Sequence, residues 1–395
     1  MTQFVSWPAA SGIQRVLLHL AEQWRGEDVE AVYGFIGDGR FVTGPIAALG
    51  RQIASVFRSF SVGAPVSSDV VRRALTDTSE RSFPVDNIER AVDSYLLPEP
   101  TLRADSLEVA ARLHTSTETI PFFIHYDALP LTQPQFFAPR SDGGLVVTRY
   151  HRTLAQAANI AFISQTARDA FESRIARQEV LNGIVARPGA DGLGRAVSDS
   201  PAKPSFVTVG TVEPRKRHRL MLEAFERLWS SGRDFRFVIL GGAGWEEPGF
   251  VERLRELSAT PRLKWVERPN DDVIAEELSR ASAMLYPSEF EGYGLPPLEA
   301  LALGCPVVAS AGLPSLDGLP SHGQIRLPEA TVDGLMTAVE TLADSTSNAG
   351  YRRGIAELRL PTWERFTTDV ESWIASEVGH TARSDVNPAT KGSTH

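Results

Sequence analysis

Two glutamates, Glu291 and Glu299, stand with seven residues between them around the loop Gly292-Tyr293-Gly294-Leu295, with Pro296 and Pro297 directly behind it. Prolines suit a first helical turn, where the missing N–H costs nothing. A helix start after two glycines presents free backbone N–H groups and the positive end of a dipole, which suits an anion such as a diphosphate. Carboxylates would repel that anion. Glu291 and Glu299 are therefore expected to accept hydrogen bonds from hydroxyls on either side of it, one on a sugar ring and one on a ribose. Upstream, Glu213-Pro214-Arg215-Lys216 places two cations in sequence. Arginine offers a planar fork and lysine a compact charge, and both suit phosphate oxygens.

Elements of an α/β protein must carry these groups. The apolar run Ala283-Met284-Leu285-Tyr286 reads as a buried strand ending at Pro287, and Leu298 to Leu303 as a short helix stopped by Gly304. A strand from Pro306 to Ser310 follows, so strand, glycine loop, helix and strand succeed one another as in nucleotide sites. Ser205 to Val209 reads as a strand ending at Gly210-Thr211, ahead of Arg215 and Lys216 and of a helix from Leu220 to Trp229. Strands are expected at Phe235–Leu240 and Leu263–Val266, and helices at Asp271–Ser282 and Thr331–Ala343, with loop from Gly312 to Gly323. Gly241-Gly242-Ala243-Gly244 resembles a dinucleotide fingerprint only in part, since Glu247 breaks it. Trp245 beyond it reads as packed on its own loop or as a stacking surface for a base or sugar.

In the first half, Ser11 is a candidate cap for a helix with Ile13, Val16, Leu17, Leu20 and Trp24 on one face, and Gly12 stands at its start. Thr2 to Trp7 and Ala31 to Ile36 read as strands, and Gly44–Phe57, Val85–Tyr95 and Leu107–Leu113 as helices. A strand through Ile120 to Ile124 runs into His125-Tyr126-Asp127. Ligands of α/β sheets gather at such carboxyl ends, so Asp127 is either a turn residue or an acceptor-side carboxylate. A helix over Thr148–Asn159, a strand over Ile160–Ser164 and a helix over Gln165–Arg177 complete this half. The polar stretch Ala196 to Pro204 reads as a linker.

A chain of 395 residues suits two α/β domains. Its 42% hydrophobic and 23% charged residues are those of a globular protein, and a net charge of −9 argues against a nucleic-acid partner. The lone Cys305 forms no intrachain disulfide and sits in an apolar strand, as an inert buried thiol does. The first residues lack a basic region followed by a long apolar core, and no apolar run approaches the ~18 residues of a membrane span. A cytoplasmic location is expected, with the apolar face of the first helix offering peripheral contact with a membrane as the alternative to core packing.

The Glu-x7-Glu spacing around Gly-Tyr-Gly-Leu-Pro-Pro, with the trailing Gly304-Cys305-Pro306-Val307-Val308-Ala309, resembles the retaining nucleotide-sugar glycosyltransferases of family 4, the group 1 glycosyltransferases. Gly12-Ile13-Gln14-Arg15-Val16, Glu213-Pro214-Arg215-Lys216 and Ile163-Ser164-Gln165-Thr166-Ala167-Arg168 resemble other stretches of the same family. The resemblance implies the GT-B fold, two doubly wound Rossmann-like α/β domains facing across a cleft. The acceptor-side domain would span 1–198 and the nucleotide-sugar domain 204–362. A helix over 363–378 would cross back onto the first, and 380–395 would form a disordered tail.

The resemblance also implies hexosyl transfer from a nucleotide diphosphate sugar to a hydroxyl of a glycan or lipid-linked saccharide, in cell-surface polysaccharide synthesis. The subgroup points to GDP-mannose or a deoxysugar donor. Arg215, Lys216, Glu291 and Asp127 would be catalytic. Gly12, Gly210, Thr211, Gly292, Tyr293, Gly294, Leu295 and Glu299 would bind the donor, and Glu267-Arg268-Pro269 would flank its base. The sequence lacks the Asp-x-Asp by which other glycosyltransferases hold a divalent cation, so no metal or other cofactor is expected and Arg215 and Lys216 would take that place. The family's histidine lies one place beyond His125, and on a strand that shift turns a side chain to the other face. A sugar-nucleotide epimerase of the same fold and a non-catalytic binding partner are the competing readings.

Overall fold

Short runs of aliphatic and aromatic residues alternate with amphipathic segments along the chain, and in the computed structural model they build three sheets and the helices that cover them. The residues described are 12–26, 29–37, 40–46, 48–51, 73, 75–77, 79–84, 92–100, 107–109, 111, 119–138, 142–194 and 203–384. The expected first strand, Ser11 and most of the expected linker lie outside them, as do residues 385–395.

The first lobe opens with helix α1 (Gly12–Gln23), which buries Val16, Leu17 and Leu20. Strands β1 (Val32–Gly37), β2 (Arg40–Pro45) and β3 (Arg81–Pro84) form an antiparallel sheet of their own. This moves the start of the helix expected from Gly44, because Gly44 pairs with Tyr33 in that ladder; residues 46 and 48–51 are helical, and 52–57 lie outside the described residues. Of the helix expected over Val85–Tyr95, residues 85–91 lie outside the described residues and the remainder is not helical. Ser94 and Tyr95 belong to β4 (Ser94–Leu97), where Tyr-Leu-Leu pairs in parallel with Pro121-Phe122-Phe123. Strands β4, β5 (Ile120–His125), β6 (Ile160–Phe162) and β7 (Ile184–Val185) make a parallel sheet in that order. Phe122, Phe123, Ile124 and Phe162 are fully buried in it. The helix expected over Gln165–Arg177 stays α-helical only to Phe171 and widens into a π turn over Glu172–Ala176.

The second lobe holds six parallel strands in the order β10-β9-β8-β11-β12-β13. These are β8 (Ser205–Val209), β9 (Arg236–Leu240), β10 (Leu263–Val266), β11 (Ala283–Tyr286), β12 (Val307–Ser310) and β13 (Gln324–Leu327). Numbered within the lobe, this is the doubly wound order 3-2-1-4-5-6, whose direction reverses between the first and fourth strands, here β8 and β11. Both faces are covered, so the strands read as nearly continuous apolar runs. On one face Phe225 of the helix His218–Ser230 stacks on Phe237 at 4.5 Å between ring centroids. Asn270 and Thr331 cap their helices by accepting from the N–H of Val273 and Gly334.

The closing helix, Trp363–Ser384, runs beyond the expected end at residue 378 and packs on the first lobe. Trp363 is fully buried and stacks on His19 at 4.3 Å, and Trp373 meets Phe122 edge-on. Glu371 accepts from the backbone N–H of Gly26, and the Trp373 indole donates to the Asn182 carbonyl. Among the described residues no helix is long and apolar enough to cross a membrane. Removing the Trp363 side chain opens a cavity where the last helix meets the first lobe. Trp363→Ala should lower the unfolding free energy by about 3–5 kcal/mol, measured by urea denaturation followed by circular dichroism.

Candidate active site

The reversal of strand order leaves a crevice at the carboxyl ends of β8 and β11, and both chains leaving it carry the charged residues. Beyond β8, Gly210 (φ +142°) and Thr211 lead to a single 3-10 turn, Pro214–Lys216, which sets Arg215 and Lys216 side by side. A Cβ at Gly210 would stand in ordinary contact with the Lys216 side chain, 3.4 Å away, so it is the positive φ that favours glycine there. Beyond β11, Pro287 starts the loop that brings Glu291 over the same crevice. The Glu291 carboxylate accepts from Lys216 at 2.5 Å and pairs with Arg215 at 2.6 Å. Lys216 also donates to the Tyr286 hydroxyl and lies over that ring at 4.4 Å. Arg215 donates to the Phe290 carbonyl and pairs with Glu213.

Burial alone would raise the Glu291 pKa, but Lys216 and Arg215 override it and hold the group down at about 2. Burial lowers the Lys216 pKa, with Glu291 opposing that shift. Glu213 is raised by burial against the pull of Arg215 and Lys216. The cluster is thus an ionised Glu291 clamped between two cations, within a larger group in which Glu213 balances Arg215.

The first lobe faces this cluster at close range. A Cβ added to Gly292 would stand 2.6 Å from the Tyr126 carbonyl oxygen and 2.7 Å from the Asp127 Cβ, so only glycine permits this approach. Ser164 donates to the Gly292 carbonyl at 2.7 Å. Asp127 accepts from the Leu129 N–H at 3.0 Å, and burial raises its pKa while Arg215 pulls it down and Glu291 pushes it up. Tyr293 is buried and donates across the lobes to the Pro188 carbonyl at 2.9 Å. Gly294 (φ +87°) caps the helix Leu295–Ala302, whose first turn holds Pro296 and Pro297.

Glu299, inside that helix, is 3% exposed and raised in pKa by burial. Its partner comes from the other lobe. Arg15 on α1 stands 3.6 Å from Glu299 and is hydrogen-bonded to Asp271. Gly12, one turn before Arg15, would place a side chain in open space, so packing does not require glycine there. His125 points away from the cleft, buried among Phe162, Phe171 and His151. Trp245 does not stay on its own loop. Its indole donates to the Phe136 carbonyl at 2.7 Å and it stacks on Phe137 of the first lobe at 6.2 Å, while Phe136 meets Phe290 at 5.7 Å.

Arg215, Lys216, Glu291, Asp127, Gly210, Gly292, Tyr293 and Gly294 therefore converge on one place, while Glu299 and Arg15 form a second polar cluster beside the same helix. Arg15, Glu213 and Tyr286 enter these clusters without having been singled out in the sequence. The Gly-Ile-Gln-Arg-Val and Glu-Pro-Arg-Lys stretches and the carboxyl end of a strand were the signals that could have marked them.

The ion pairs give Glu291 a folded-state pKa below its unfolded value, so the stabilisation it contributes is present above about pH 4.5 and is lost as pH falls through about 2. The stability gap between the wild type and Glu291→Gln should shrink steadily from pH 5 to pH 3 in urea unfolding. A gap independent of pH would contradict the pairing.

Residues 195–345 match the family described as glycosyl transferases group 1. A serotype-specific mannosyltransferase, WbdA, of Escherichia coli is 41% identical over 108 residues, 27% of this chain and 13% of the relative. O-antigen chain mannosyltransferase B of Escherichia coli is 30% identical over 165 residues, 40% of this chain and 42% of the relative. The chain thus spans less than half the length of these relatives. Among solved structures, Anabaena HepE in complex with UDP and glucose superposes with a TM-score of 0.61 at 14% identity, over 94% of this chain and 96% of that one. Sucrose-phosphate synthase of Thermosynechococcus elongatus gives 0.55 at 18% identity, over 77% and 76%. The fold is GT-B, and the lobe that carries Arg215, Lys216, Glu291 and Glu299 carries the match to the group 1 glycosyl transferases.

Proposed function

We propose that the chain transfers a hexosyl group, with retained configuration and without a metal ion, from a nucleotide diphosphate sugar to a hydroxyl of a glycan or lipid-linked saccharide. The observation that carries this reading is the convergence of Arg215, Lys216 and Glu291 at the strand reversal, opposite Asp127 and beside the N-terminus of Leu295–Ala302. As the bond between the anomeric carbon and the phosphate oxygen breaks, its electron pair stays on the oxygen, and the diphosphate gains charge. Preorganised cations and helix N–H groups stabilise that gain more than they stabilise the bound donor. Arg215 and Lys216 would share their charge between Glu291 and the diphosphate.

Positive charge grows on the sugar carbon meanwhile, as in glycoside hydrolysis. Glu291, kept ionised by its two partners, would accept a hydrogen bond from a donor-sugar hydroxyl and stabilise the ring. The acceptor hydroxyl attacks from the face the leaving group departs, and its proton passes to the departing phosphate oxygen. Asp127, buried at the first-lobe edge of the same space, would orient that hydroxyl. Glu299, with Arg15 beside it, would accept from the ribose. The mannosyltransferase relatives favour mannose as the hexose and O-antigen-like polysaccharide as the setting.

Titration calorimetry with GDP, UDP and ADP, followed by turnover of the matching nucleotide sugars, would name the donor. Lys216→Ala and Glu291→Ala should each lower kcat/KM by about 10²–10³-fold with folding retained, and wild-type rates in either variant would reject the site. EDTA should leave turnover unchanged. Loss of activity in EDTA that added magnesium restores would reject the role given to the two cations.

A further inference from the structure

Arg15 reaches from the first lobe to two helices of the second. Its guanidinium donates to Asp271, in the first turn of the helix Asp271–Arg280, and stands 3.6 Å from Glu299, inside the helix Leu295–Ala302. That second separation is too long for a hydrogen bond. The two carboxylates differ in their surroundings, for the Asp271 side chain is 35% exposed and that of Glu299 only 4%. Water can serve Asp271, whereas a buried carboxylate depends on donors from the protein or a ligand. Stability alone would therefore give the closer pairing to Glu299. The structure gives it to Asp271.

Glu299 is left with an unfilled oxygen. Its Oε1 is buried and makes no hydrogen bond with any described group, a costly state unless a ligand supplies the donor. Few charges act on it. Burial raises its pKa, Arg15 draws it down and Asp271 pushes it up. His19, one turn beyond Arg15 on α1, adds no charge, because burial and Arg15 hold its pKa down at about 3. Arg15 is thus the one cation set against Glu299 among the described residues, close enough to attract its charge and too far to fill its oxygen.

We infer that Arg15 and Asp271 are positioning residues for recognition of the donor's ribose: Asp271 draws the Arg15 guanidinium back, so that Arg15 serves Glu299 as a counter-charge without occupying the oxygen a ribose hydroxyl needs. The inference rests on the ribose contact proposed above for Glu299. It adds a requirement, because Arg15 belongs to the first lobe and both carboxylates to the second. Full recognition of the ribose occurs only with the lobes together. A hydroxyl gains most from an acceptor that is both ionised and vacant, and the standoff supplies the two conditions at once.

The test titrates the full chain and three variants with GDP, UDP and ADP and with their 2′,3′-dideoxy counterparts. For the base that binds, the wild type should favour the ribose form by at least about tenfold in Kd at pH 8, the scale of a hydrogen bond to a charged group. Glu299→Gln should bring that ratio below about threefold. Asp271→Ala frees Arg15 to close on Glu299, and should lower the ratio as far at every pH from 6 to 9 while dideoxy affinity holds. Arg15→Met leaves burial and Asp271 both favouring the protonated acid, so its ratio should be low at pH 6 and rise toward pH 9. Taking the ratio cancels the titration of the diphosphate itself. A purely structural role would weaken ribose and dideoxy forms equally, and that result overturns the inference while the proposed function stands. A wild-type ratio in Asp271→Ala does the same, and it decides the matter even where Arg15→Met does not fold. A low ratio that ignores pH in folded Arg15→Met overturns the counter-charge. A ratio that survives Glu299→Gln overturns the ribose contact and this inference with it. Absence of both nucleoside diphosphate binding and transfer in the wild type overturns the proposed function as well.

Discussion

An ionised carboxylate clamped by two cations inside a closed cleft is the constraint on which this molecule turns. A buried Glu291 without Arg215 and Lys216 would take up a proton, and buried cations without Glu291 would be destabilising in their turn. Held together, the three groups keep full charge where water is scarce and electrostatic forces act strongly. The neighbouring features follow from that need. Tyr286 lies beneath Lys216, Glu213 balances Arg215, and the 3-10 turn Pro214–Lys216 fixes both cations in one orientation.

The strand order explains why such a clamp can be assembled from distant parts of the chain. Adjacent strands β8 and β11 send their following helices to opposite faces of the sheet, so the loops that leave them part above the sheet and bound a crevice. Arg215 and Lys216 come from one loop, Glu291 from the other, and the first lobe closes the remaining side through Tyr126, Asp127 and Ser164 against Gly292. Glycine is required at this meeting of lobes because any side chain would hold them apart.

Much of the second lobe was legible in the sequence, for a physical reason. Strands buried on both faces read as unbroken apolar runs, and Ala283–Tyr286, buried at every position, lies where its composition places it. Gln324–Leu327 went unrecognised because its polar residues alternate with apolar ones at the sheet edge, and helix Ser345–Ile355 because it buries little beyond Ile355. The antiparallel sheet of the first lobe was hidden more deeply, since Thr43 and Arg81 pair across an intervening stretch that no local pattern predicts. Within the site, Glu291, Arg215 and Lys216 declared themselves by type and spacing. The bond between Arg15 and Asp271 joins residues 256 positions apart, and only the closed arrangement of lobes brings them into contact.

The helix that begins at Trp363 completes the core of the lobe built from the chain's opening residues. During synthesis on the ribosome, where domains generally fold as they emerge, the early half must wait with Phe122 and His19 uncovered until the last helix is made. The second lobe has all its strands by Leu327 and its covering helices by Ile355, and can fold sooner. The order of maturation is thereby inverted relative to the order of translation, and premature termination just beyond Ile355 would leave a folded second lobe joined to an unfinished first lobe.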